Sequence, residues 1–171
     1  PYFTSKDGVL YTRDMKTLVR FPGFRDTKPD FEIPDVVERI GRSAFKNACI
    51  RKLTIPDHIE KIDAGAFDGC LLEELVMPSE METIEAGIFQ NCDIRKLILP
   101  KKLKRIKAYA FQGTAGLTEI VAEGEVPEME EAIFSNGYFR GIEWWPWKII
   151  PKACFLNSFV RKILVPEGVE H

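Results

Sequence analysis

Three cysteines, Cys49, Cys70 and Cys92, recur at intervals of 21 and 22 residues and are the side chains that most invite a chemical interpretation. A thiolate can bind a metal ion, close a disulfide or attack an electrophile. A zinc site would complete its ligand set with histidines or further cysteines. The chain has only two histidines, His58 and His171, and neither follows the spacing of the cysteines. We therefore expect no metal site.

Nucleophilic and acid–base catalysis are also poorly supported by the residue types. A serine or cysteine nucleophile needs a general base, most often a histidine, held beside it. Two histidines do not supply one, and no phosphate-binding glycine loop or nucleophile-elbow sequence occurs. Paired carboxylates such as Glu73–Glu74 and Glu130–Glu131 are expected on a solvated rim. The sequence therefore indicates a protein without catalytic residues or cofactors.

The composition is typical of one soluble domain. Of the 171 residues, 45% are hydrophobic and 29% are charged, which is enough apolar surface for a substantial core. The formal net charge of −2 gives no overall attraction to nucleic acid or to an anionic membrane. Apolar runs are far shorter than a membrane span. The chain starts PYFTSKDGVLY, without the features of a signal peptide, as expected for a mature secreted protein whose leader is absent.

An internal repeat of 22 residues determines how these side chains are placed. Prolines at positions 34, 56, 78 and 100 are spaced by 22 residues. They align the segments FEIPDVVERIGRSAF, LTIPDHIEKIDAGAF, LVMPSEMETIEAGIF and LILPKKLKRIKAYAF. Each segment ends on phenylalanine, and two degenerate copies continue the series. The aligned phenylalanines are Phe45, Phe67, Phe89, Phe111, Phe134 and Phe155.

Each repeat predicts one coil of a solenoid. A short extended segment such as Leu53–Ile55 points alternate side chains inward, and the following proline ends the strand. A second apolar pair, here Ile59 and Ile62, precedes a turn or short helix that ends at the phenylalanine. The position two residues after each phenylalanine is always Gly or Asn, which predicts a left-handed backbone there. Those residues are Asn47, Gly69, Asn91, Gly113, Asn136 and Asn157.

A single coil cannot bury its apolar side, so the coils must stack around one core and form a parallel sheet. We predict about six 22-residue repeats and a partial last repeat over residues 31–171. Residues 1–30 do not follow the period. Within them, Val9–Tyr11 and Leu18–Phe21 predict a β-hairpin that caps the N-terminal end of the stack. The sequence ends within the repeat pattern, at PEGVEH, so we expect a segment of a longer array or a frayed last coil.

These repeats resemble the BspA-like leucine-rich repeat family, which is common among surface and secreted proteins of gut and oral bacteria. The family unit is similar to L-x-x-I-x-I-P-x-x-V-x-x-I-G-x-x-A-F-x-x-C. In the first copy it is matched by Ile33, Pro34, Val37, Ile40, Gly41, Ala44 and Phe45. The resemblance implies a leucine-rich-repeat solenoid with short parallel strands, few or short helices and a bacterial cell-surface or secreted location. It also implies adhesion or binding of host proteins, and it carries no catalytic residues.

In this register Cys49, Cys70 and Cys92 occupy the turn after the phenylalanine, at the family's cysteine position. Equivalent residues on adjacent coils lie about 5 Å apart, which is within the range of a disulfide. A buried free thiol is the favoured interpretation, because free cysteine packs as a small hydrophobe. A Cys70–Cys92 disulfide is the alternative. Cys154 takes the small-residue position beside Phe155 and is expected in the core.

The outward side of the sheet is the predicted interaction surface. One outward row carries charges of alternating sign, which favour the correct alignment of neighbouring coils. The next row is apolar at its centre; scattered β-forming residues are the simpler interpretation, and a partner-binding patch is the sharper one. The charged row is Asp30, Lys52, Glu74, Lys96, Glu119, Gly141 and Lys162. A second charged row, one residue earlier, is Arg51, Glu73, Arg95, Thr118, Arg140 and Arg161. The apolar row is Glu32, Thr54, Val76, Ile98, Val121, Glu143 and Leu164.

The fifth and sixth copies are rich in aromatic residues. Phe139, Trp144 and Trp147 fall on inward positions, and Trp145 replaces a proline at a position that can face solvent. Core packing is the simpler interpretation of this cluster, and an aromatic platform for a glycan or peptide is the alternative.

Together these features favour a non-enzymatic surface or secreted module that binds a protein or glycan, such as a host extracellular-matrix protein, through an extended face. A structural spacer within a larger surface protein is the alternative. A hydrolase built on the aromatic copy is less well supported, because histidine is nearly absent. The predicted binding face comprises Lys52, Thr54, Glu74, Val76, Lys96, Ile98, Glu119 and Val121, with Trp145 as an aromatic platform.

Overall fold

The computed structural model of the chain describes residues 2–23, 28–121, 127–139, 142–143, 154–160 and 163–164. Within these ranges the chain forms short strands joined by turns, and no residue is helical. Trp144, Trp145, Trp147 and the last segment, PEGVEH, lie outside the described residues. The roles predicted for them stay predictions.

The strands of the described residues form four sheets. In chain order they are β1 (Phe3–Lys6), β2 (Val9–Thr12), β3 (Thr17–Arg20), β4 (Lys28–Phe31), β5 (Arg39–Ile40), β6 (Cys49–Thr54), β7 (Lys61–Ile62), β8 (Leu71–Val76), β9 (Thr83–Ile84), β10 (Asp93–Ile98), β11 (Arg105–Ile106), β12 (Glu119–Val121), β13 (Glu128–Met129), β14 (Tyr138–Phe139), β15 (Ile142–Glu143), β16 (Phe159–Val160) and β17 (Ile163–Leu164). The main sheet contains β4, β6, β8, β10, β12, β15 and β17. The first side sheet contains β1, β2, β3, β5 and β7, the second side sheet contains β9, β11 and β13, and β14 pairs with β16.

One strand from each coil joins the main sheet, in which all neighbours are parallel. The order of strands in the sheet follows the order of coils in the chain. This is the arrangement expected when each coil returns the backbone to the next rung of a solenoid. In β8 the inward residues Leu72 and Leu75 are almost fully buried, and the same positions supply aliphatic side chains in the neighbouring strands.

The N-terminal strands pack on one end of the stack. β2 and β3 pair antiparallel, which confirms the hairpin predicted between Val9–Tyr11 and Leu18–Phe21. The additional strand β1 was not predicted, and it pairs with β2 through a turn at Asp7 and Gly8, both of which have positive φ. Asp-Gly between extended segments is a strong hairpin signal that could have revealed it. β3 also pairs in parallel with β5, so the hairpin continues directly into the coils.

The corner before each phenylalanine is a turn, and the short helix that the sequence left open is absent from the described coils. The residue two positions before phenylalanine has φ between 54° and 66° in five successive coils, which prevents a right-handed helix from continuing. These residues are Ser43, Gly65, Gly87, Tyr109 and Ala132. The left-handed backbone predicted two positions after each phenylalanine is confirmed at Asn47, Gly69, Asn91, Gly113, Asn136 and Asn157.

Six phenylalanines, one from each coil, stack into a continuous column through the core. Successive ring centroids lie 5.0–5.5 Å apart with interplanar angles of 5–24°. This spacing is close to the separation of about 4.8 Å between neighbouring strands, so the rings stack as directly as the coils do. At the N-terminal end, Phe21 continues the column by stacking on Phe45 with centroids 5.4 Å apart.

From Asn47 to Gly113, asparagine and glycine alternate in the corner after the phenylalanine for a steric reason. The side-chain oxygen of Asn47 lies where a Cβ at residue 69 would be, and Asn91 blocks residue 113 in the same way. Glycine at those positions therefore lets each asparagine lie across the next coil. The backbone hydrogen bonds between coils continue at this corner, as in the 3.0 Å bond that the Gly69 N–H donates to the carbonyl of Gln90.

The predicted alignment of the main-sheet rows is confirmed from β6 to β12 and is wrong at β15. Glu143 faces Glu119, whereas the sequence placed Gly141 opposite Glu119 and Glu143 opposite Val121. In β6, β8 and β10 one six-residue strand crosses the face of the coil. In the sixth coil this strand is divided into β14 and β15, which pair with different partners, so the second half is no longer held to the 22-residue spacing.

Shortening Phe89 to alanine is expected to lower the free energy of unfolding by about 3–5 kcal/mol, because it removes a fully buried ring that stacks on both neighbours. Phe89→Leu keeps most of the buried volume and should lose clearly less. Urea denaturation followed by circular dichroism measures both variants. A small loss for alanine would show that the column does not support the stack.

Candidate functional site: the cysteine row and the main-sheet face

The cysteine row lies three residues after each phenylalanine. In chain order it contains Ala48, Cys70, Cys92, Thr114, Gly137 and Ser158. The assignment of Cys49 to this row is wrong, because it follows Phe45 by four residues and begins β6 with a half-buried side chain. Ala48 fills the row in the first coil and is fully buried.

Most members of the row donate a hydrogen bond to the carbonyl of the phenylalanine one coil earlier. The pairs are Cys70 Sγ to Phe45 O (2.7 Å), Cys92 Sγ to Phe67 O (2.7 Å), Thr114 Oγ1 to Phe89 O (3.0 Å) and Ser158 Oγ to Phe134 O. Both thiols and hydroxyls serve as the donor in this series, so the position favours a small side chain that can donate a hydrogen bond. The row therefore ties each coil to the one before it.

Burial makes these thiols poor reactive groups. All four cysteines are free, so Cys70 and Cys92 are not bridged. Burial, reinforced by the neighbouring Cys70, raises the pKa of Cys92 well above its ordinary value, and burial raises the pKa of Cys154 to about 12. The thiolate is the form that binds metals and attacks electrophiles. Within the described ranges, no three His, Cys, Asp or Glu side chains are grouped to hold a metal ion.

Gly137 interrupts the row because an aromatic ring takes its place. A Cβ at residue 137 would collide with the ring of Phe139 and lie 3.0 Å from the carbonyl oxygen of Thr114. Phe139 is fully buried, as predicted, and packs edge-on against Phe134 and Phe155 with centroids 5.8 Å apart in each case. At Gly137 the row therefore lacks a side-chain hydrogen-bond donor, and the buried ring of Phe139 fills the space instead.

Two adjacent charged rows cross the outward face of the main sheet, because two consecutive residues of each strand point outward. In β6, Arg51 and Lys52 both lie between the buried Ile50 and Leu53. In the row that begins with Asp30, the ion pairs among the described residues are Lys52–Glu74 (2.7 Å) and Lys96–Glu119 (3.3 Å). Exposed pairs of this kind contribute about 0–1 kcal/mol each. They align the coils more than they stabilise them.

The charged side chains of the second row form no ion pair among the described residues. Arg51, Glu73 and Arg95 are exposed, and none of these side chains forms an ion pair or hydrogen bond with a described residue. Both guanidinium groups can still donate to a carboxylate, phosphate or sulfate group. This row therefore offers charge to a partner molecule.

The apolar row predicted as the binding patch is aligned as expected but is less open than expected. Thr54 is exposed, whereas Val76, Ile98 and Val121 are half-buried. The row therefore offers a partly covered apolar strip beside the ion-paired row.

The row at the opposite edge of the main-sheet face, which was not predicted from the sequence, carries exposed apolar residues on both sides of the exposed Asp93. Leu71 is 47% exposed, Tyr138 is 50% exposed and Phe159 is 57% exposed. The rings of Tyr138 and Phe159 stack with centroids 5.0 Å apart. Leu71 directly precedes the inward Leu72, and this was the available signal that it must face outward.

A groove of about 530 Å³ lies beside this edge row in the first half of the stack. Cys49 and Leu71 contribute apolar surface to it, and Arg51 and Arg95 border it. Glu73 and Asp93 line it as well, so the unpaired charged row and the edge row share one depression.

The family described as "BspA type Leucine rich repeat region" matches residues 38–161, in six copies. This chain belongs to that family. The match spans most of the sequence and includes the cysteine row and the main-sheet strands β6 to β15. No curated protein matches this BspA-type chain.

Solved structures share the fold of this BspA-type chain. A leucine-rich cell-surface protein from Faecalibacterium prausnitzii A2-165 has a TM-score of 0.60 and 23% identity, over 72% of this chain and 40% of that chain. The pneumococcal vaccine antigen PcpA has a TM-score of 0.60 and 23% identity, over 99% of this chain and 38% of that chain. A leucine-rich repeat protein from Eubacterium ventriosum ATCC 27560 has a TM-score of 0.53 and 13% identity, over 97% and 51%. The BspA-type chain thus spans about half or less of each, and at these identities the likeness shows the fold alone.

The described part of this BspA-type chain contains no helix with the length and apolar character needed to cross a membrane.

Replacing Cys92 with threonine should leave the BspA-type stack more stable than replacing it with valine, by about 0.5–1.5 kcal/mol in the free energy of unfolding. The two side chains have the same shape, but only threonine can donate to the Phe67 carbonyl, as Thr114 donates to that of Phe89. Equilibrium urea denaturation compares the variants. A valine variant of equal or greater stability would show that the row contributes through apolar packing alone and that its hydrogen bonds add no stability.

Gly137→Cys restores the residue that the BspA-type pattern favours, yet it should lower the free energy of unfolding by about 1–3 kcal/mol. The reason is overpacking against Phe139. Thr114→Cys places the same residue in the same row where space and an acceptor exist, and it should be nearly neutral. Thermal melts of both variants check this. A stabilised Gly137→Cys would mean that the Phe139 ring moves aside without cost.

Proposed function

We propose that this chain is a non-enzymatic binding module, displayed on a bacterial cell surface or secreted, that recognises a protein or glycan through the exposed face of the main sheet. The observation that carries the proposal is the arrangement of rows on that face. Two charged rows lie between a half-buried apolar row and an edge row that carries exposed apolar residues, and one charged row has no ion pair within the described chain.

The apolar rows supply surface that a partner can cover. Val76, Ile98 and Val121 keep part of their surface in water, and Leu71 and Tyr138 keep about half of theirs. Grouped apolar side chains on a surface favour association, because covering them removes apolar area from water. Aromatic residues and arginine are also enriched at interface cores.

The charged row without ion pairs would determine how a partner is oriented on the main-sheet face. Arg51 and Arg95 flank Glu73 on successive strands, so the row presents positive, negative and positive groups in sequence. A partner with carboxylate or sulfate groups at matching spacing gains charge-assisted hydrogen bonds, and one with the wrong spacing meets like charge. Host extracellular-matrix proteins and acidic glycans carry groups of this kind.

The chemistry of the described side chains supports a role without catalysis. The cysteine row is buried, its thiols bond to backbone carbonyls, and the raised pKa of Cys92 and Cys154 keeps both protonated at neutral pH. The F. prausnitzii relative is described as a cell-surface protein, and this supports a surface or secreted location for the present chain.

Val76→Asp combined with Ile98→Asp should abolish binding to whichever member of a panel of immobilised matrix proteins and glycans the native chain recognises. The two carboxylates place charge in the half-buried apolar strip. The double variant Val36→Asp with Tyr109→Asp is the matched control. It adds the same charge at two apolar residues, 46% and 43% exposed, outside the main-sheet strands.

Surface plasmon resonance measures binding, and a thermal melt confirms that each variant is folded. Arg51→Ser with Arg95→Ser provides a second disruption that leaves the apolar rows intact. Unchanged binding by both main-sheet variants would refute the proposal. A native chain that binds nothing on the panel would favour the role of a structural spacer.

A further inference from the structure

The backbone ladder of the side sheets is interrupted between the second and third coils. β7 ends the first side sheet and β9 begins the second, and no hydrogen bond joins them, although residues 28–121 are described without a gap. The main-sheet strands of the same coils, β6 and β8, stay paired at five positions. The N–H of Phe67 also still donates to the carbonyl of Ile88, at 3.2 Å. A 2.7 Å hydrogen bond from the Ser79 N–H to Asp57 Oδ1 joins them again before β7. The two coils are therefore joined at the main sheet and at both ends of this segment, and only the β7–β9 ladder between these points is open.

The neighbouring coils identify which hydrogen bonds are missing. There, the corresponding bonds are Asp63 N to Ile40 O (2.9 Å), Arg105 N to Glu82 O (3.0 Å) and Lys107 N to Ile84 O (3.0 Å). Between β7 and β9 the N–H groups of Glu82, Thr83 and Glu85 have no acceptor, and the carbonyls of Glu60 and Ile62 have no donor, among the described residues. One wall of the opening thus presents three donors, and the other wall presents two acceptors.

Carboxylates occupy equivalent positions on the two walls of this opening, and one of them, Asp63, is paired with Arg39 at 2.7 Å. Glu60 and Glu82 occupy equivalent positions of the two coils, and so do Asp63 and Glu85, so carboxylate faces carboxylate twice. At the next interface the same rows match acid with base, in the pairs Lys102–Glu80, Lys104–Glu82 and Lys107–Glu85. In the described chain no ion pair crosses from the second coil to the third on this side. Like charges directly opposite each other are destabilising.

The opening is a cleft of about 910 Å³. Six carboxylates and three basic side chains line it, and Ile59, Met81 and Ile88 contribute apolar surface to it. The carboxylates are Asp57, Glu60, Asp63, Glu80, Glu82 and Glu85. Glu60 is exposed and forms no ion pair with a described residue. None of the lining residues belongs to a main-sheet strand, so the cleft is separate from the proposed binding face.

We propose that this cleft binds an extended basic segment of a partner protein, which adds as a strand between β7 and β9. Its carbonyls accept hydrogen bonds from Thr83 and Glu85, and its N–H groups donate to Glu60 and Ile62. The added strand replaces the bonds that the two coils do not make to each other. Successive side chains of a strand point to opposite sides, so alternate residues cover Met81 while lysines or arginines between them approach the carboxylates.

Isothermal titration of the chain with a short synthetic peptide of alternating lysine and threonine tests the proposal. We expect saturable one-to-one binding, with slowed hydrogen exchange at the amides of Thr83 and Glu85. A peptide with glutamate in place of lysine should bind at least about tenfold more weakly, and so should one that carries N-methyl groups on alternate residues. The N-methylated peptide keeps its charge and loses backbone donors, so it separates strand addition from simple attraction.

Glu60→Lys should weaken binding of the lysine–threonine peptide by at least about tenfold, because it reverses the charge of the unpaired carboxylate in the cleft. Asp35→Lys makes the same change at an exposed residue outside the cleft and should leave affinity within about twofold. Val76→Asp with Ile98→Asp should also leave it unchanged. Failure of the main-sheet face and failure of the cleft are therefore distinguishable.

Several results would overturn the proposal. In the free chain, exchange at Thr83 and Glu85 as slow as that at Arg105 and Lys107 would show that the ladder is closed in solution. Equal affinity for the N-methylated peptide would reduce the interaction to charge alone. Dimerisation of the chain that Glu60→Lys prevents would assign the cleft to a second copy instead.

Discussion

Backbone hydrogen bonds between equivalent residues of successive coils are the constraint on which the rest of the structure depends. They hold neighbouring coils about 4.8 Å apart, so a residue type repeated every 22 positions becomes a column of touching side chains. The phenylalanine column, with ring centroids 5.0–5.5 Å apart, is the largest of these. The alternation of Asn47, Gly69 and Asn91 follows from the same distance, because each asparagine fills the space of the next Cβ.

Polar rows and apolar rows contribute differently to this stack. A buried phenylalanine contributes several kcal/mol, whereas a satisfied hydrogen bond contributes about 1 kcal/mol and an exposed ion pair less. Stability therefore comes mainly from the aliphatic and aromatic columns. The donors of the cysteine row and the alternating charges of the main sheet select one alignment of the coils. The cysteines, which look most reactive in the sequence, serve this alignment through their bonds to phenylalanine carbonyls.

Because each coil contacts only its neighbours, one interface can change without disturbing the others. The second and third coils part at the side sheets, yet β6 and β8 and the rings of Phe67 and Phe89 remain paired. The stack can therefore carry two surfaces of different character. The main-sheet face offers side chains to a partner, and the open ladder between β7 and β9 offers backbone groups.

Sequence alone determined the features that belong to a single coil: the 22-residue period, the inward aliphatic positions, the left-handed residue after phenylalanine and the outward charged rows. The turn at Asp7 and Gly8 was equally readable and would have revealed β1. Only the tertiary structure decided the partner of the Cys92 thiol, the exposure of Leu71, the division of the strand after Phe134 into β14 and β15, and the separation of β7 from β9. These depend on distances between side chains of different coils and on the balance of attraction and repulsion summed across each interface. A periodic pattern describes each coil separately, so it shows that Glu60 and Glu82 face each other but not that the backbone between them opens.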